Sequence, residues 1–168
     1  MWRGMAGVAL VALAAAGGTT VSAQGGAPAV RPEDPGIRAL IARGTAGSAT
    51  FRDLATRLEN ADVIVYVRFA PCTGGVPACL LWTWPGSGRR RLLIRLDKFG
   101  RSPDELTVLL AHELHHVHEV ASAPEVTDLA SFEKFFSARG WKNRQGFETR
   151  EAKDIARRVD AELRLCPR

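Results

Sequence analysis

The chain contains four histidines, and all of them fall within residues 106–121, LTVLLAHELHHVHEVA. His112, Glu113 and His116 stand there in the pattern H-E-x-x-H. On an α-helix, residues four apart lie one above the other on the same face. The imidazoles of His112 and His116 can therefore aim at one metal ion. Glu113, one step round the helix, falls beside such an ion, where a carboxylate can take a proton from a bound water. His115 and His118 lie on a different face and are expected at the surface or in support of the pair. A solvated helix face rich in His and Glu would show the same letters, so the elements around the motif have to decide.

The helix that must position the pair is well marked. Ser102-Pro103-Asp104-Glu105 supplies an N-cap serine, a proline at the first helical position and a glutamate at the third, which together form a capping box. Leu106, Leu110, Leu114, Val117 and Ala121 then make an apolar stripe at helical spacing, suited to a core. A third ligand is expected from the last helix, which runs from Phe147 to about Leu165 and is stopped by Pro167. Its stripe of Ala152, Ile155, Val159 and Leu163, extended back one turn, lands on Glu148. A carboxylate at the head of a core-facing stripe is costly to bury unpaired, and a metal would satisfy it. Glu151 shares a more polar face with Asp154 and Arg158 and is the alternative ligand. Both acids would also suit a solvated helix N-terminus, where the macrodipole favours negative charge.

The remaining elements read as an α+β arrangement. Residues 62–70, DVIVYVRFA, are dense in β-branched and aromatic side chains and predict a strand. Residues 80–84 predict a second strand, closed by the turn Pro85-Gly86-Ser87-Gly88, and residues 90–97 a third. Short connections predict that the three form a small antiparallel meander packed on the histidine helix. If the third strand lies at the sheet edge beside the metal, it can bind an extended peptide through main-chain hydrogen bonds. Residues 36–43 predict a short helix closed by Gly44, and Ser48 or Thr50 a cap for a second helix reaching Asn60. Residues 127–139 predict a helix with Phe132, Phe135 and Phe136 on its apolar side, followed by a polar loop at 141–146.

The chain has 168 residues and is 46% apolar, enough for one compact domain, expected over residues 36–168. Residues 1–23 are expected to be a cleaved signal peptide. Arg3 supplies the positive region, residues 8–16 the apolar run, and Val21-Ser22-Ala23 the small residues before Gln24. Residues 24–35, rich in Gly, Pro and Ala, are expected to be a flexible mature N-terminus. The mature chain would then be periplasmic or extracellular with no stable membrane span. In that setting Cys72 and Cys79 are expected to form a disulfide, leaving Cys166 over. The net charge of +5 is spread along the chain. The run Arg89-Arg90-Arg91 lacks interleaved aromatics, so no nucleic-acid partner is expected and a solvated surface is the reading.

HELHH followed, after an intervening helix, by a glutamate on a further helix resembles the zincin metallopeptidases, and among them the Glu-ligated gluzincin branch. The resemblance covers residues 90–157 and rests on His112, Glu113, His116 and the downstream glutamate. It implies a minimal zincin-like fold and a zinc ion held by His112, His116 and Glu148, with water in the fourth position. It also implies Glu113 as general base, which accepts the water proton and returns it to the leaving amine of a peptide substrate. The extended metzincin pattern is absent, since Glu119 and Ser122 occupy its Gly and His positions. Gluzincins often place an Asp four residues after the ligand Glu. Here that position is Ala152, so another residue must orient the histidines, or Glu151 is the ligand. The only Tyr is Tyr66, on a strand, which leaves His115, Arg144 and Arg150 as stand-ins for an oxyanion-stabilising group. Two other classes fit the same residues: an exported zinc-binding module without proteolytic activity, and a structural protein whose histidines merely scavenge metal. A Ser or Cys nucleophile has no base outside the HELHH helix.

Overall fold

A computed structural model of the chain describes residues 28–83, 89–143 and 146–166. The expected signal peptide, the first residues of the expected flexible N-terminus, the turn at 85–88 and Arg144 lie outside the described residues. In chain order the elements are β1 (Val30–Pro32), α1 (Pro35–Gly47), α2 (Ala49–Glu59), β2 (Val63–Phe69), β3 (Ala78–Trp82) and β4 (Arg90–Leu96). They continue with α3 (Pro103–Ala121), α4 (Leu129–Arg139), β5 (Trp141–Asn143), β6 (Gly146–Glu148) and α5 (Arg150–Leu165). A single 3₁₀ turn, Thr73–Gly75, lies between β2 and β3.

The α+β class holds, but the antiparallel three-stranded meander does not. The sheet has four strands in the order β1-β2-β4-β3. β1, β2 and β4 run parallel, and only β3 is antiparallel to its neighbour β4. β2 and β4 pair along their whole length, from Val63 opposite Arg90 to Phe69 opposite Leu96. Their alternate residues Val63, Val65, Val67, Leu92, Ile94 and Leu96 are fully buried, as fits strands inside a sheet. β4 is therefore interior, and β3 takes the edge that a meander would have given to another strand. β1 is too short and too proline-bearing to stand out in the sequence, and proline suits the outermost position it takes.

Alternate residues of the interior strands build the core. Val63, Val65, Val67, Leu92, Ile94 and Leu96 are fully buried and join Phe51, Leu58, Leu110, Leu114 and Val117 in one hydrophobic cluster. Each such side chain contributes about 1.5–3 kcal/mol through burial. α1 runs to Gly47 rather than stopping at Gly44, because Gly44 is a packing position: a Cβ there would lie 2.7 Å from the Phe51 ring. Ser48 caps α2, as expected. α4 starts at Leu129, where Asp128 and Ser131 form a capping box, two residues later than expected. Among the described residues no helix is long and apolar enough to cross a membrane.

Two polar anchors tie the layers together. The first is Arg90, which is buried rather than part of a solvated arginine run. Its guanidinium donates to the carbonyls of Val120 (2.8 Å), Ala121 (3.1 Å), Ala123 (2.7 Å) and Val126 (3.1 Å), and pairs with Asp62. These carbonyls belong to the C-terminal end of α3 and the turn after it, where a helix lacks internal donors. The second is Glu162 of α5, whose carboxylate accepts from the Ser48 hydroxyl, from Thr50 N (3.0 Å) and from Thr50 Oγ1 (2.7 Å).

Burial works against the charged Glu162, but these hydrogen bonds outweigh it and hold its carboxyl below the usual range. The stability it adds is therefore present above the ordinary carboxylate pKa and is lost as pH falls through the depressed one. Glu162→Gln is expected to cost about 1–2 kcal/mol in denaturant unfolding at pH 7. The difference should shrink as pH falls through that depressed pKa and the wild-type carboxyl takes up its proton. A constant difference across that range would contradict the assignment.

Candidate metal centre

α3 begins as its sequence dictates. Ser102 Oγ accepts from Glu105 N at 3.3 Å, and Glu105 Oε2 accepts from Ser102 N at 2.7 Å. One face of the helix enters the core, and His112 and His116 emerge together from its flank, with ring centroids 4.9 Å apart. Glu148 meets them from β6. Its Oε1 lies 3.2 Å from His112 Nε2 and 3.9 Å from His116 Nε2. Among the described residues these three form the one group whose ligand atoms all lie within 4.8 Å of one another. Two ligand atoms about 2.1 Å from a tetrahedral ion stand about 3.4 Å apart, so small side-chain adjustments would accommodate a metal. Glu151, the alternative, is exposed on the first turn of α5 and outside the group.

Glu148 reaches the histidines from an element the sequence did not indicate. It ends a strand of the β5–β6 hairpin, in the segment expected to hold a polar loop and a helix start. α5 begins only after Thr149, whose hydroxyl accepts from Ala152 N at 3.3 Å and so fixes the first turn. Gly140, at the end of α4, lets this strand pass: a Cβ there would sit 2.3 Å from the Glu148 carbonyl oxygen. The backbone of Glu148 is thus held against the end of α4.

Glu113 is buried, with 6% of its surface exposed, and lines the same cavity as the three ligand candidates. Burial pushes its carboxyl up, opposed in part by His116 and His112. Burial also works against a charged His112, yet the Glu148 hydrogen bond and the neighbouring carboxylates outweigh it and raise this histidine. Glu148 is held down by the same pairing, against its own burial.

The residue that orients His116 is Glu119, which sequence reasoning missed. Its Oε2 lies 2.7 Å from His116 Nδ1, and both side chains are buried. Burial opposes its charge, but the His116 hydrogen bond and one from the Thr149 hydroxyl keep the carboxyl low. An ionised carboxylate only accepts, so Nδ1 donates in this bond and Nε2 is the nitrogen that faces Glu148. The signal available in the sequence was a glutamate three residues after the second histidine of the motif. Glu119→Ala is expected to weaken metal binding about 10–100-fold in a chelator competition, with Glu119→Gln retaining part of the affinity. Unchanged affinity in both would contradict this role.

The other candidates do not join the group. His115 and His118 stack on each other at 6.0 Å on a different side of α3, where burial lowers both. His115 Nε2 is 3.7 Å from Glu119 Oε1, beyond hydrogen-bond reach. Tyr66 lies on the sheet face away from the helices and pairs with Arg31 at 3.4 Å. Arg150 is exposed at the start of α5.

A cavity of about 550 Å³ opens over the three ligand candidates. One wall is aromatic: Trp82 packs on Phe132 at 5.8 Å, and Phe136 meets the His116 ring edge-on at 5.3 Å. The edge strand β3, which carries Trp82, lines the cavity too, with the loop before it that the Cys72–Cys79 disulfide closes. Cys166 is free and exposed. Thr83 N and Pro77 O both bond to β4, so odd-numbered residues of this stretch face β4. The N–H and C=O groups of Ala78, Leu80 and Trp82 therefore point off the edge. No family model, curated protein or solved structure matches the chain.

Proposed function

We propose that this chain is an exported zinc-dependent hydrolase that cleaves peptide bonds. The observation that carries the reading is the meeting of His112, His116 and Glu148 beside a buried Glu113, under an open strand edge. Two imidazoles and one carboxylate suit zinc, which prefers nitrogen and sulfur ligands with an occasional carboxylate and leaves one position open in catalytic sites. When bound, zinc supplies a Lewis acid and lowers the pKa of a water toward about 7.

The protein groups do the rest. An extended peptide pairs with the outward N–H and C=O groups of Ala78, Leu80 and Trp82, which sets its carbonyl over the site. Glu113, raised by burial, accepts a proton from the attacking water and delivers it to the leaving amine. Glu119 holds His116 in the tautomer that leaves Nε2 free. The aromatic wall keeps bulk water out. The disulfide fits an oxidising compartment.

A second reading is an exported zinc-binding module without proteolysis. One observation favours it: among the described residues, neither Tyr66 nor His115 nor Arg150 lines the cavity to steady an oxyanion. Incubating the chain without residues 1–23 with a mixed peptide pool and one equivalent of zinc separates the two. New termini detected by mass spectrometry, lost with a chelator and restored by zinc, support the hydrolase. A zinc-loaded chain that leaves every peptide intact contradicts it and favours the module.

A further inference from the structure

One face of the main sheet lies away from the helices. Since Val65, Val67, Leu92 and Ile94 belong to the helix-facing core, Tyr66, Arg68, Leu93 and Arg95 between them point the other way. The pairing register sets Arg68 directly beside Arg95, and Arg95 beside Cys79. Like charges placed opposite each other on neighbouring strands repel. Among the described residues one carboxylate meets this pair, Glu33, at 3.9 Å from Arg68 with both partners well exposed. The side chain of Arg95 makes no hydrogen bond or ion pair with any described residue. Its Nε, like that of Arg68, is shielded from solvent and unpaired.

The second observation is independent of the first. The cavity that holds the metal-ligand candidates rounds the β3 edge. Leu80 and Trp82 line it from the helix side, and Cys79, Leu81 and Arg95 from the open face. Among the described residues, Arg95 is the only lysine or arginine in that lining. The cavity thus joins a cluster able to bind metal to a single unpartnered guanidinium across one strand.

The geometry points to Arg95 as the binding group for a substrate carboxylate: the cavity takes acidic peptides, whose Asp or Glu side chain reaches round the β3 edge. This rests on the peptide reading of the same cavity. A peptide added to β3 sends alternate side chains to the two sheet faces. Those on one side meet the aromatic wall, and those on the other meet Arg95. Two strand spacings, about 10 Å, separate the added strand from β4. Arginine and glutamate side chains extended toward each other span that gap past the Cys72–Cys79 disulfide, which stands on β3 between them. The guanidinium fork matches a carboxylate, and Arg68 adds charge from the next strand.

The test is equilibrium binding to the chelator-treated full chain, so that hydrolysis plays no part. The probes are two fluorescein-labelled peptide pools, identical except for Glu or Gln at alternate positions. The Glu pool is expected to bind about tenfold more tightly at low salt. Arg95→Gln should reduce that preference to within about twofold, and Arg95→Lys should keep part of it. Arg95→Glu should transfer the preference to a third pool carrying Lys. Equal binding of the Glu and Gln pools to wild type overturns the proposal. So does a preference that survives Arg95→Gln, or Arg95-dependent binding only to anionic lipid vesicles. If Arg95→Gln fails to fold, the wild-type preference and the Arg95→Lys result decide. Cleavage of neutral and acidic peptides alike defeats this proposal and leaves the hydrolase standing. Arg95-dependent binding without any cleavage defeats the hydrolase and leaves the carboxylate site.

Discussion

Glu113→Gln is expected to reduce peptide hydrolysis at least about 10³-fold while leaving the zinc content at wild-type level. The amide matches the carboxylate in shape, and Glu113 is not among the residues that would hold the metal, so the site should still assemble. What the substitution removes is the capacity to accept a proton. Burial already raises the Glu113 carboxyl, which brings it closer to the pH at which a base both accepts and returns a proton well. Among the described residues, two other carboxylates line the cavity. Glu148 pairs with the histidines, and Glu133 belongs to α4, on the aromatic side. Metal analysis and peptide turnover on the same preparation check the prediction. Wild-type turnover in the variant would remove Glu113 from the chemistry.

Arg90→Met is expected to destabilise the fold by about 3–5 kcal/mol. The stem of Arg90 could be replaced by a methionine, but at the end of α3 and in the turn after it the carbonyls of Ala121 and Val126 would lose their donor, and those of Val120 and Ala123 would keep only a backbone N–H. Asp62 is largely exposed and would lose little. Thermal unfolding with the disulfide intact should show a fall of about 10 °C or more. Arg90→Lys should rescue little, because one ammonium cannot serve four carbonyls at once. Since the same helix carries His112 and His116, weaker metal binding should accompany the loss. A change below about 1 kcal/mol would show that the end of α3 is held by other means.

What the sequence revealed followed the range of each signal. α3 was legible because a capping box and an apolar stripe are local, and the structure reproduces both. The disulfide was legible from two cysteines seven apart at the ends of one loop. Strand pairing was not. The alternation in β2 and β4 identifies strands, but it does not say that β3 steps past β4 to the edge and leaves its neighbours parallel. Glu148 was legible as the acid that meets the histidines, yet through the wrong element. The stripe of α5 happens to extend onto it, while the Thr149 cap ends the helix first and β6 carries the residue. A three-residue strand is too short to leave a period of its own. Glu119 sat in plain view three residues after His116, but its partner Thr149 lies thirty positions away and only folding brings the two together.

The most direct measurement is the zinc stoichiometry and affinity of the purified chain, compared with His116→Ala and Glu148→Ala. One tightly held ion per wild-type chain, lost or weakened at least about 100-fold in both variants while each still unfolds cooperatively, is the predicted result. Weak binding of variable stoichiometry that neither substitution changes would contradict the assignment of His112, His116 and Glu148 to a common cation.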